Sequence, residues 1–131
     1  MRIAHALLDE IVAHAVRDAP NECCGVVVGR DGTANEARAL ENLAASPFRF
    51  DIDGREVMTF AFADEDEDQL LAIYHSHTRS EPVPSQTDMN FAAMWPGVQW
   101  LIVGISKHAE PVVRNWSIEG GVIAEADLEV T

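Results

Sequence analysis

The sequence predicts an α+β fold. Three observations lead there. Residues 3–19 carry apolar side chains at helical spacing, whereas residues 26–28, 70–74 and 100–105 are short apolar runs of strand length. Helical and strand segments succeed one another irregularly, not in a regular βαβ alternation. No internal repeat or linker interrupts the 131 residues, so one domain over 1–131 is expected.

The opening helix rests on Ile3, Leu7, Leu8, Ile11, Val12, Ala15 and Val16, which share one stripe. Ala19-Pro20-Asn21 ends it, because the residue before a proline is pushed out of the helical region. Val26-Val27-Val28 reads as a buried strand, closed by Gly29 and a turn at Arg30-Asp31-Gly32. A second strand is expected over 35–43 and a short third over 48–52. Residues 53–63 read as a helix. The acidic run 64–68 reads as a solvated helix end or loop, since nothing in it supplies the fixed loop geometry of a cation site.

Residues 70–74 suit a central strand that ends at a pair of histidines, and 78–84, with Pro82 and Pro84, form a loop. A third helix is expected from Ser85 to Met94, stopped by Trp95-Pro96-Gly97. Strands follow at 100–105, 112–117 and 122–130, with Gly120-Gly121 as a hairpin turn. Trp95, Trp100 and Trp116 are assigned to the core, and Cys23 and Cys24 read as small buried residues. No CxxC pair exists, so a zinc ribbon is excluded. His5, His14 and His108 lack ligand spacing and read as surface or partly satisfied histidines.

Twenty-two acidic residues face nine basic ones, a formal net charge of −13, and the one lysine is Lys107. Such a chain is repelled by the phosphate backbone, so nucleic acid is not an expected partner. Two readings of the acidity stay open. The acids either form an ordinary solvated face or mark a protein of a high-salt cytoplasm, where self-repulsion is screened. No run approaches the roughly 18 to 20 apolar residues of a membrane span. The N-terminus enters an amphipathic pattern directly, without a signal peptide. A soluble cytoplasmic protein is expected, and its oligomeric state is open.

The most informative string is His75-Ser76-His77, then Ser85-Gln86-Thr87-Asp88. Residues i and i+2 of a strand share a face, so both imidazoles can point at one ion. Asp88, in the first turn of the next helix, can add an oxygen. Two nitrogens and one oxygen suit zinc and leave a fourth position for water, the pattern of a hydrolytic rather than a structural site. Ser85 is a neighbour of Asp88 on a helical turn, and its hydroxyl can donate to a developing oxyanion. Taken alone, Ser85 to Asp88 is also a helix capping box. A base must come from elsewhere. Glu22, beside the turn before the Cys23 strand, is the candidate, and taken alone it reads as a solvated turn residue.

These residues resemble the signature of the JAMM (MPN+) zinc metalloproteases, E…H-x-H-x₇-S-x₂-D, here Glu22, His75, His77, Ser85 and Asp88. Cys24-Gly25 and the stretch from Asn42 to Phe50 also fall in the family's order. The resemblance implies a curved mixed β-sheet flanked by helices, of the cytidine-deaminase-like type. It implies zinc on His75, His77 and Asp88, Glu22 as general acid/base, and Ser85 as oxyanion stabiliser. The implied reaction is hydrolysis of a peptide or isopeptide bond. The compact chain is similar to the small bacterial branch, whose Mec-type members release cysteine or another amino acid from the Gly-Gly end of a ubiquitin-like sulfur carrier. Thr78 stands where many members have proline, as in those cysteine-releasing peptidases. The alternatives are a catalytically silent binding scaffold, a deubiquitinase-like isopeptidase with another substrate, and a deaminase of similar fold, whose His-x-Glu and Pro-Cys-x-x-Cys ligands are missing.

Overall fold

A computed structural model describes residues 1–105 and 110–131. His108 therefore lies outside the described residues. Among the described residues, eight strands form one mixed sheet in the order β7-β6-β5-β4-β2-β3-β1-β8. At its centre β2 (Cys24–Arg30) runs antiparallel to β4 (Gln69–His77), and β4 runs parallel to β5 (Gln99–Gly104). A parallel pair needs a crossover, and α3 (Gln86–Ala92) lies within it. The remaining elements are β1 (Arg2–Ile3), α1 (His5–Asp18), β3 (Thr33–Leu40), α2 (Gly54–Ala61), β6 (Val112–Glu119), β7 (Val122–Glu125) and β8 (Glu129–Val130).

The central strands are buried on both faces, which explains why they read as continuous apolar runs. Val27, Ala72, Tyr74, Leu101 and Val103 pack with Ile11 and Ala15 of α1 on one face. Val26, Ile73, Trp100 and Ile102 pack with Val57 of α2 and Ala92 of α3 on the other. Gly25 permits a close approach on the first face, where a Cβ would stand 2.3 Å from the Tyr74 ring and 2.5 Å from the Arg38 carbonyl. The β2–β3 turn places Asp31 and Gly32 at φ 51° and 75°, and Gly120-Gly121 makes the β6–β7 turn at φ 56° and 77°.

Three expectations are corrected. Ile3 fits the helical stripe, yet it sits in β1, paired with β8 through Ile3↔Val130, and α1 starts at His5. Thr131 and His5 complete the pairing: the Thr131 N–H donates to the Ile3 carbonyl and the His5 N–H to the Thr131 carbonyl, both at 2.9 Å. Residues 48–52 form no strand. The Asn42 side chain captures the backbone there, accepting from the Asp51 N–H (3.0 Å) and donating to the Arg49 carbonyl (3.1 Å). The final strand is split into β7 and β8, because Asn115 draws the chain away between them. Its carbonyl accepts from the Ala126 N–H at 2.8 Å and its side chain donates to the Asp127 carbonyl at 3.2 Å. Residues 64–67 are exposed turn and loop, as expected.

Candidate metal centre

Alternation along β4 sends Ile73, His75 and His77 toward the α2/α3 side, and pairing with β2 and β5 holds the strand on both edges. His75 is fully buried and His77 nearly so. The chain then crosses residues 78–84 and enters α3 through a capping box. Ser85 Oγ accepts from the Asp88 N–H at 3.1 Å, and Asp88 Oδ2 accepts from the Ser85 N–H at 2.9 Å. The cap thus aims the Asp88 carboxylate, which lies 3.3 Å from His75 Nε2 through Oδ1 and 3.2 Å from His77 Nε2 through Oδ2. One donor atom each from His75, His77 and Asp88 falls within 4.8 Å of the others, and all three residues are buried. The capping box and the metal-type cluster are therefore one structure, not rival readings.

His77 Nδ1 donates to the Glu81 carbonyl at 2.7 Å, so in the neutral ring the lone pair is on Nε2, which faces Asp88 Oδ2 at 3.2 Å. His75 is different. Both of its ring nitrogens are buried without a hydrogen-bond partner, while its ring stacks on Phe50 at 4.4 Å. Unpaired buried imidazole nitrogens are costly. Together with two nitrogens and an oxygen converging from a rigid strand and a helix start, they fit a divalent cation such as zinc.

Glu22 is also buried, and its Oε1 stands 3.7 Å from His75 Nδ1. Register explains the approach, since Cys24 pairs with His75 across β2 and β4. The backbone of Glu22 is gripped by the loop that replaces the expected strand. Its N–H donates to the Ser46 carbonyl at 2.9 Å, and its carbonyl accepts from Asn42 Nδ2 at 2.9 Å. Asn42 Oδ1 also accepts from the Ala44 N–H at 3.0 Å, so this one amide holds the loop at three points and ties it to Glu22 by a fourth bond. Thr78 ties the loop to the histidine strand, donating to the Pro47 carbonyl at 2.9 Å. Sequence patterns show no such clamp, because its partners are distant main-chain groups. Ser85 is placed as expected, exposed at the helix start. Cys23 and Cys24 are buried and stand outside the cluster, and Cys24 Sγ donates to the Glu41 carbonyl at 3.5 Å.

The family model for prokaryotic homologs of the JAB domain matches residues 4–119. This chain belongs to the prokaryotic JAB family. The JAB chain is 34% identical over 127 residues to the CysO-cysteine peptidase of Mycobacterium tuberculosis, covering 95% of this chain and 86% of that one. It is 38% identical over 102 residues to the desampylase of Haloferax volcanii, covering 72% and 73%. A solution structure of a Desulfitobacterium hafniense protein superposes with a TM-score of 0.84 at 28% identity, over 100% and 93% of the two chains. A JAB1/MPN domain protein from Archaeoglobus fulgidus shares the fold with a TM-score of 0.69 at 20% identity, over 99% and 98%. The mixed sheet with helices on both faces is thus the JAB1/MPN architecture.

The electrostatics of this JAB site favour a positive charge at its centre. Burial raises the Asp88 carboxyl, but the His75 charge and the His77 and Ser85 hydrogen bonds more than offset it, leaving a pKa of about 2. For His77 burial favours the neutral ring, yet the hydrogen bond to Asp88 and the Glu81 carbonyl outweigh it and raise the pKa. A proton on His77 and a bound cation therefore compete to supply that charge.

Proposed function

We propose that this JAB domain is a zinc-dependent peptidase that hydrolyses the bond after the C-terminal Gly-Gly of a ubiquitin-like sulfur carrier, releasing cysteine or another amino acid. The observation that carries this reading is the buried His75–His77–Asp88 cluster with Glu22 3.7 Å from His75. A silent scaffold has no use for a buried carboxylate beside such a cluster. The names of the mycobacterial and haloarchaeal relatives support the substrate class.

His75, His77 and Asp88 would hold the ion. When bound, zinc supplies Lewis acidity, which polarises a carbonyl oxygen and eases deprotonation of water. Glu22 accepts a proton from the attacking water at a carboxylate oxygen and delivers it to the departing amine. Ser85 Oγ already accepts from the Asp88 N–H, so its hydroxyl proton is free to donate to the oxyanion. Phe50, stacked on His75, shields that side of the ring from water.

The acidic chain disfavours nucleic acid as a partner. No helix among the described residues is long and apolar enough to cross a membrane. A cytoplasm rich in salt is the setting we propose for this charge. The reaction is tested by incubating zinc-loaded protein with carrier-Gly-Gly-cysteine adducts and with carrier–lysine isopeptide conjugates, followed by mass spectrometry. Free cysteine from the adduct supports the proposal. Cleavage of the conjugate alone would make the protein an isopeptidase, and two intact substrates would overturn the reading.

A further inference from the structure

The nine basic residues include a single lysine, so eight are arginines. Six of these lie within 4 Å of a carboxylate: Arg2 with Glu129, Arg17 with Asp18, Arg30 with Asp68, Arg38 with Glu36, Arg55 with Asp53, and Arg114 with Glu125. In a chain with 22 acids this is the ordinary fate of an exposed arginine. Among the described residues the two exceptions are Arg49 and Arg79, and both flank the candidate site. Arg79 follows His77 by two residues. Its guanidinium lies 5.0 Å from the centroid of the Phe48 ring, which is 70% exposed. Arg49 follows Phe48 and precedes Phe50, the ring stacked on His75. The Thr78–Pro47 hydrogen bond fixes the two loops together at this point.

We propose that Arg79, held on Phe48, and Arg49 form a cationic docking point for carboxylates on the substrate protein, next to the tail that enters the site. The occupant is a protein with an acidic stretch flanking its C-terminal tail. Among the described residues neither guanidinium donates to an internal acceptor. The planar fork of Arg79 is therefore oriented by stacking while its N–H groups stay available to a carboxylate. The acidic surface repels an anionic partner, so among the described residues these two unpaired arginines mark where such a partner can land. The released amino acid's own carboxylate is a poorer candidate. Its clamp belongs inside the site, yet among the described residues the buried titratable side chains polar enough to serve are His14, Glu22, His75, His77 and Asp88, with no arginine among them. Both arginines sit on the exposed rim.

The inference rests on the peptidase reading for its substrate class, but its test does not require turnover. Two fluorescently labelled peptides end in Gly-Gly-Cys, one with glutamates upstream of the tail and one with serines there. Their binding to the zinc-loaded full chain is measured by anisotropy. The acidic peptide should bind about tenfold more tightly than the serine peptide. Arg49→Glu and Arg79→Glu should each remove most of that difference, and the glutamine variants part of it. Raising KCl from about 0.05 M to about 0.5 M should weaken the acidic peptide selectively. Equal affinity for the two peptides, or a preference that survives both reversals, would overturn the docking point. Charge-dependent binding without cleavage would leave docking intact and remove the proposed reaction instead.

Discussion

At the residue scale, the proposed mechanism gives proton transfer to Glu22, and Asn42 holds the Glu22 backbone in place. Glu22→Gln keeps the shape and loses the titratable oxygen. It should retain zinc, measured by elemental analysis, while kcat falls by about two to four orders of magnitude. An unchanged rate would remove Glu22 from the mechanism. His77→Ala should instead abolish the drop in melting temperature that a chelator causes in the parent, since ligand binding to the native state alone raises stability. Asn42→Ala leaves two carbonyls and two N–H groups of the 41–53 loop and Glu22 without their partner. It should cost about 1–3 kcal/mol in urea unfolding and lower kcat with zinc content unchanged. Loss of zinc in that variant would show that the clamp supports the ligands themselves.

At the element scale, α1 and β4 are coupled across the face opposite the site. His14 of α1 is buried, its Nδ1 2.7 Å from the Tyr74 hydroxyl and its Nε2 3.0 Å from Asp18 Oδ2. Burial is the largest influence and lowers the His14 pKa below its ordinary 6.5, despite the opposing pull of Asp18. The unfolded chain thus takes up the proton more readily than the folded one. The stability contributed by neutral His14 is complete above about pH 6.5 and is lost as pH falls through that value toward the lower folded pKa. Melting temperatures between about pH 7.5 and about pH 5 should fall in the parent and fall less in His14→Gln. Equal slopes would show that other groups carry the acid response. Tyr74 adjoins His75 along β4, so this packing also holds the strand that carries His75 and His77 in place.

At the scale of the whole molecule, a net charge of −13 strains the compact state by self-repulsion. Thermal unfolding should shift upward as KCl rises from about 0.1 M to about 2 M, through screening. A melting temperature indifferent to salt would remove the high-salt setting. Much of the fold was legible because its signals are local. The stripe of α1, the apolar runs of β2, β4 and β5, and the glycine turn at 120–121 need only neighbours to be read. His75, His77, Ser85 and Asp88 were legible for the same reason, since strand alternation and a capping box place four side chains within fourteen positions. The errors lay where a distant partner overrules the local pattern. Ile3 belongs to the helical stripe until the chain's end pairs with it, and residues 48–52 look like a strand until Asn42 takes their hydrogen bonds.

The sequence by itself determined the α+β class, the candidate ligand types and the histidine-to-aspartate spacing, because periodicity and capping act over a few residues. Only the tertiary structure decided that Glu22 reaches His75, that both His75 nitrogens are buried without hydrogen-bond partners, and that among the described residues Arg49 and Arg79 make no ion pair. Those facts depend on strand register and on side-chain hydrogen bonds between segments far apart in the chain. No rule that reads one stretch at a time contains them.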